Sequence, residues 1–134
     1  MYGSMARAAQ TYRQTQVQSQ SPLELVVLLY DGALRFMNAA ADAIERRDLV
    51  AKRDAMSRAT AILAELQNSL NMESGGEVSA NLDRLYTYVH DRLIEANAHA
   101  RVEPIRESIN LFTSLRDAWA EIAKRPGAAG QVGA

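Results

Sequence analysis

The sequence predicts an all-α protein, an antiparallel up-down four-helix bundle with a flexible N-terminal segment. Apolar residues recur every three or four positions through most of residues 21–125, and glycine or proline interrupts this spacing at only a few points. No segment alternates polar and apolar residues as a half-buried strand does. The interruptions leave room only for short connections, and short connections make consecutive helices antiparallel.

The first helix is predicted from about residue 22 to 47. A helix start is predicted at Ser21, Pro22 and Glu24. The Ser21 hydroxyl can accept a hydrogen bond from a backbone amide, and the Glu24 side chain can accept one from the Ser21 amide. Two apolar stripes follow. The first stripe is Leu23, Val26, Tyr30, Ala33, Met37, Ala40 and Ile44, and the second is Leu25, Leu28, Leu29, Phe36 and Ala39. A bundle core uses one stripe per helix, so another segment, a second copy or a partner is expected to cover the second.

The other helices are predicted at about 49–72, 79–100 and 103–125, with Asp48 capping the second and Pro104 in the first turn of the fourth. Gly75 and Gly76 end the second helix and allow a reversal. The inward residues are expected to be Met56, Ala59, Leu63, Leu66 and Leu70, then Leu82, Leu85, Val89, Leu93 and Ala96, then Ile105, Ile109, Phe112, Trp119 and Ile122. This assignment leaves Tyr86 outside the stripe of the third helix.

The two ends of the chain differ from the bundle in composition. Residues 1–20 are polar and are expected to be mobile, and residues 126–134 are expected to be a disordered tail. Tyr12 is an aromatic exception in the first segment. We interpret it as a side chain that folds back onto the second stripe of the first helix when no partner is present.

Composition excludes several classes of function. The chain of 134 residues has a net charge of −1 and lacks a basic surface interleaved with aromatic residues, so nucleic-acid binding is not expected. It contains no cysteine, which excludes disulfides and thiolate chemistry. No long uncharged apolar run is present, so neither a signal peptide nor membrane insertion is expected, and we predict a cytoplasmic protein.

No set of residues predicts an enzyme, a metal site or a cofactor. Glu95 and His99 are spaced by four, and no second copy completes a di-iron motif. His90 lies in mid-helix, as a phosphotransfer histidine does, but Asp91 and Arg92 beside it are not typical of such domains. A phosphotransfer bundle nevertheless stays open as an alternative, and it predicts phosphate incorporation at His90.

Four segments, in order and in spacing, resemble the flagellar secretion chaperones of the FliS family. They are SPLELVVLLYDGALRF, SLNMESGGEVSANLDRLYTYV, LIEAN and LRDAWAEI, and the resemblance covers roughly residues 12–122. The family fold is an antiparallel four-helix bundle. The resemblance implies a cytosolic export chaperone that binds the disordered C-terminal segment of flagellin, prevents premature polymerisation and aids delivery to the flagellar type III secretion apparatus.

The resemblance also implies partners and contact residues. The expected partners are the flagellin segment at about one to one, the flagellar export gate and an anti-sigma factor. Independently of the resemblance, the partner-free protein is expected to be a monomer with a tendency to dimerise, because a second copy can cover the second stripe of the first helix. The residues expected to bind the partner are Tyr12, Leu25, Leu28, Asp31, Tyr86 and Val89. The alternative is a helical-bundle adaptor or regulator that binds another amphipathic segment, which would give no saturable binding to a flagellin peptide.

Overall fold

A computed structural model describes residues 21–125, which form four helices and their connections. The helices are α1 (Pro22–Glu45), α2 (Leu49–Asn68), α3 (Gly76–His99) and α4 (Glu103–Ala123). Helix α1 packs against α2 and α4, and α3 packs against the same two helices, so α1 and α3 lie diagonally across the bundle. The connections between consecutive helices are short, which makes them antiparallel. No β-strand occurs in this part of the chain, and the predicted all-α four-helix fold is confirmed.

Side-chain caps fix the beginnings of the first two helices. The Ser21 hydroxyl accepts a hydrogen bond from the Glu24 amide at 3.2 Å, and the Asp48 carboxylate accepts one from the Ala51 amide at 3.0 Å. Both caps were expected from the sequence. Helix α1 ends before the predicted residue 47, because Arg47 has a φ of 60°, which lies outside the helical region.

The connection between α2 and α3 is longer than predicted. Helix α2 ends at Asn68 rather than near residue 72, because the Asn71 side chain accepts hydrogen bonds from the amides of Glu73 and Ser74 and holds a turn there. Helix α3 starts directly after Gly75, earlier than the predicted residue 79. A Cβ at Gly75 would lie 2.6 Å from the Asn71 carbonyl oxygen, so the turn requires glycine at this position.

The buried core takes side chains from all four helices. Most of the first α1 stripe is buried in it, whereas the second stripe is half-buried or exposed. The fully buried apolar residues include Leu23, Tyr30, Ala33, Met37 and Ala40 of α1, Met56, Ala59, Leu63 and Leu66 of α2, Tyr86, Val89, Leu93 and Ala96 of α3, and Ile105 and Phe112 of α4. The two-stripe pattern of α1 therefore separates a core face from an outer apolar face.

Tyr86 corrects the predicted stripe of α3. It is 2% exposed and belongs to the core, while Leu82 and Leu85, which were expected to point inward, are half-buried and pack against that core. The Tyr86 hydroxyl lies 2.7 Å from the Tyr30 hydroxyl of the diagonally opposite helix, and this hydrogen bond satisfies both polar groups inside the core. The Phe112 ring packs between them, with centroid distances of 4.7 Å to Tyr30 and 6.1 Å to Tyr86.

Helices α1 and α2 approach each other closely at Gly32. A Cβ added there would lie 3.1 Å from the Cδ1 atom of Ile62, which is tighter than ordinary van der Waals contact. Buried alanines on both helices, among them Ala33 on α1 and Ala59 on α2, keep the facing surfaces shallow. This close approach holds α1 in place beside the surface described next.

Candidate partner-binding groove

A surface groove of about 410 Å³ lies between α1 and α4, near the start of α1. Helix α1 supplies residues spaced by three, four and seven positions, and α4 supplies residues from its last two turns. The lining residues are Glu24, Val27, Leu28 and Asp31 of α1, and Arg116, Ala120, Ala123 and Lys124 at the end of α4. We call this surface the groove.

The groove is open because its α4 wall is built from small side chains. Ala120 and Ala123 stand where larger residues would fill the space against Val27 and Leu28. Leu28 keeps 38% of its surface exposed. The apolar part of the groove lining, which we call its floor, is therefore Val27, Leu28, Ala120 and Ala123, and Leu28 in it is accessible to another side chain.

Charged groups border this apolar floor. Asp31 accepts a hydrogen bond from the Arg116 guanidinium at 2.8 Å and joins α1 to α4. The hydrogen bond to Asp31, together with the negative charge of Asp31, raises the pKa of Arg116, which therefore stays protonated at any ordinary pH. Glu24 and Lys124 also line the groove. Acidic and basic side chains are both present, so the groove can pair with either sign of charge around an apolar centre.

An aromatic cluster lies on the core side of the same two helices. Burial raises the pKa of Tyr30 and of Tyr86, so both phenols stay protonated and share their hydrogen bond. The buried Nε1 atom of Trp119 makes no hydrogen bond of normal geometry with any residue between 21 and 125. It lies close enough to the Tyr30 hydroxyl to oppose the rise in the pKa of that group. The C-terminal half of α4, which borders the groove, therefore packs against the core through aromatic side chains.

The residues predicted for partner binding fall into three groups. Leu28 and Asp31 line the groove, and Leu25 is half-buried on the outer apolar face of α1 without lining it. Tyr86 and Val89 are buried in the core, with 2% and 0% exposure, so the structure offers neither side chain to a partner. Tyr12 lies outside the described residues.

Several groove residues were not predicted from the sequence. Val27 belongs to neither α1 stripe, and Arg116, Ala120 and Ala123 were not selected on α4. Spacing could have indicated them, since residues 24, 27, 28 and 31 share one side of α1, and residues 116, 120 and 123 share one side of α4. A closed up-down bundle makes the first and last helices neighbours, so these two sides face each other.

The sequence also offered candidates for a metal site and for a phosphotransfer histidine. Between residues 21 and 125, no three acidic or histidine side chains are grouped closely enough to hold a metal ion. His90 is exposed on α3, and its Nδ1 atom lies 3.7 Å from the carboxylate of Asp91. Over the same stretch, no helix is long and apolar enough to cross a membrane.

A four-helix bundle with an open amphipathic groove has the construction of a helical binding protein. The family description "Flagellar protein FliS" matches residues 5–126. The flagellar secretion chaperone FliS of Campylobacter jejuni is 39% identical over 115 residues, covering 86% of this chain and 90% of that protein. The FliS chaperone of Salmonella typhimurium is 36% identical over 118 residues, covering 87% of each chain, and that of Bacillus subtilis is 36% identical over 108 residues, covering 81% and 80%. The chain belongs to the FliS family of flagellar secretion chaperones.

Proposed function

We propose that this chaperone binds the C-terminal segment of flagellin in the cytoplasm, keeps it from polymerising and presents it to the flagellar export gate. The groove and the outer apolar face of α1 are the observations that support this proposal. Leu28 is the apolar residue common to both, and it is accessible without any rearrangement of the bundle. The complex contains one chaperone and one flagellin segment.

The geometry suits an amphipathic helix laid along α1 and α4. The groove volume of about 410 Å³ accepts one or two apolar side chains, and the Asp31–Arg116 pair can accept and donate hydrogen bonds at its edge. Anchors at helical spacing are the usual way in which such a segment is recognised. A further apolar anchor can rest on Leu25, which is half-buried on the outer side of α1.

Coupled folding explains how binding can be firm and still reversible. A segment that becomes helical on binding buries on the order of 1,000 to 3,000 Å², but its ordering costs about 2 to 5 kcal/mol or more. The groove alone is too small for that area, so the segment must extend along the surface of α1 beyond it. While the segment is held as a helix, it is unavailable for contacts with other flagellin subunits.

The test is titration calorimetry with the flagellin C-terminal segment from the same organism. We expect saturable one-to-one binding with a negative heat-capacity change for the natural chain. Leu28→Asp should weaken binding about tenfold or more, because it puts a charge into the apolar floor. The matched control is Ile94→Asp, a half-exposed position on the diagonally opposite α3, which should bind normally.

Two outcomes would contradict the proposal. Absence of binding to the natural chain would favour an adaptor of another amphipathic partner. Equal loss of binding in the Leu28 and Ile94 variants would show that the segment is not held on the α1 side. Circular dichroism of both variants checks that the bundle is intact, since neither residue is buried.

A further inference from the structure

A second, smaller pocket of about 100 Å³ lies at the opposite end of the bundle from the groove. It is formed where α1 ends, α2 begins and α3 ends. Its lining residues are Ala43, Ile44, Arg47, Asp48, Leu49, Lys52 and Ala100. We call it the end pocket.

The end pocket has the size and surroundings of a site for one aliphatic side chain. Its volume is smaller than the cavity of about 150 Å³ that accommodates benzene. Leu49 at its edge is 55% exposed, and Val50 next to it is 79% exposed. These are the first two residues of α2, so the mouth of the pocket is extended by an apolar surface that the bundle does not cover.

Positive charge without a partner surrounds this apolar surface. No acidic side chain among residues 21–125 pairs with Arg47 or Arg53, and Arg53 lies one turn along α2 from Leu49. The Lys52 amino group donates to the Asn97 carbonyl oxygen at 2.8 Å and adds a third positive charge.

The acids near the end pocket are, in contrast, already engaged. Asp48, the one acid that lines the pocket, caps α2 and lies 3.5 Å from Arg46. The other ion pairs at this end are Asp42 with Arg46, Glu45 with Arg106, Asp54 with Arg58, and Arg101 with both Glu95 and Glu103. The charge left over at this end of the bundle is therefore positive, although the whole chain has a net charge of −1.

We propose that the end pocket docks an acidic segment of a partner protein, in which one aliphatic side chain is flanked by Asp or Glu residues. The aliphatic side chain enters the pocket and rests against Leu49, and the flanking carboxylates pair with Arg47 and Arg53. Charge complementarity selects this occupant over a neutral or basic segment. The exposed pair at residues 49 and 50 gives the segment an apolar surface on which to lie.

The end pocket is separate from the groove. Leu28 and Ile44 belong to the same helix and lie about 24 Å apart along its axis at about 1.5 Å per residue. A flagellar client that extends along α1 without reaching Ile44 leaves the end pocket open, and one chaperone can then hold two proteins at once. The proposal does not depend on what occupies the groove.

The experiment uses the full chain, labelled with ¹⁵N, and three synthetic peptides. The first has one leucine flanked on each side by acidic residues, the second has the same leucine flanked by lysines, and the third has alanine in place of leucine between the acids. We expect the first peptide to shift the amide signals of residues 43–53 and 100. The alanine peptide should bind about tenfold more weakly, and the lysine peptide should not bind.

Charge reversal tests the site on the protein. Arg53→Glu should weaken binding of the acidic peptide by about two- to fivefold, the scale of an exposed charge pair. The matched control is Arg84→Glu on α3, which makes the same change in net charge and should bind as the natural chain does. Both positions are exposed, so the bundle stays folded.

Several results would overturn the proposal. Equal shifts from the acidic and lysine peptides, or signals that move only at the groove, would exclude an acidic ligand at this end. Displacement of the acidic peptide by the flagellin segment would make the end pocket part of the client surface. A dimer in sedimentation velocity that Leu49→Ser dissociates would show that a second copy, and not a partner, covers the pocket.

Discussion

The hydroxyl pair of Tyr30 and Tyr86 joins the two diagonal helices through the core, and removing either hydroxyl leaves the other buried without its partner. Such a loss costs about 1 to 3 kcal/mol of stability. The two single changes should differ. Tyr30→Phe leaves the Tyr86 hydroxyl unpaired and takes the nearby oxygen away from the Trp119 indole, whereas Tyr86→Phe leaves Tyr30 close to that indole. We expect Tyr30→Phe to be the more damaging change.

The variant that carries both Tyr30→Phe and Tyr86→Phe completes a double-mutant cycle. With both hydroxyls gone, no unpaired hydroxyl remains, and the loss should be smaller than the sum of the single losses by about 1 kcal/mol. Urea unfolding followed by circular dichroism measures all four proteins, and a loss of 2 kcal/mol lowers the midpoint by about 1 M. Tyr88→Phe is the control, because that hydroxyl is exposed and binds Glu107 at the surface.

Two results would refute this reasoning. If the losses of unfolding free energy in the two single variants add up to the loss in the double variant, the two hydroxyls are not energetically coupled. The 2.7 Å hydrogen bond between them would then contribute nothing to stability. A larger loss for Tyr86→Phe than for Tyr30→Phe would mean that the Trp119 indole does not interact with Tyr30.

The same features give two further predictions. Burial raises the pKa of Tyr30 and of Tyr86 above the unfolded value, so their contribution to the stability of the fold is complete below about pH 10 and is lost as the pH rises beyond it. In urea titrations between about pH 9 and 11, the variant with phenylalanine at both positions should therefore lose less stability than the natural chain. An equal loss in the two proteins would contradict this. Gly32→Leu should lower the free energy of unfolding by about 1 to 3 kcal/mol, measured by thermal unfolding, because the larger side chain forces α1 away from Ile62. Gly32→Ala should change the free energy of unfolding by no more than about 1 kcal/mol. A leucine variant as stable as the natural chain would show that the helices are not closely packed there.

The fold could be predicted because it depends on local patterns. Apolar spacing of three and four indicates helices, and the caps at Ser21 and Asp48 are read from single residues and their neighbours. The two stripes of α1 also correctly separated the core face from the outer face. Helix ends were less predictable, since the end of α2 depends on hydrogen bonds from the Asn71 side chain to the turn that follows.

The site was predicted only in part, because it depends on pairs of residues far apart in the sequence. A tyrosine beside the predicted stripe can face either the core or the solvent, and the group that satisfies the buried Tyr86 hydroxyl is the hydroxyl of Tyr30, 56 residues earlier. The groove has the same property. Leu28 and Asp31 can be selected from α1 alone, but Arg116 and Ala120 matter only because α4 packs beside α1.

The indole ring of Trp119 gives this chaperone a natural fluorescent label. The chain contains one tryptophan, so its tryptophan fluorescence comes from a single half-buried position on α4. Arg116 and Ala123, one turn away on either side along α4, line the groove, and a ligand held there changes the solvent and the electric field around the ring. Loading and release of a tryptophan-free client can therefore be followed in real time with the natural chain, and no dye is needed on either protein.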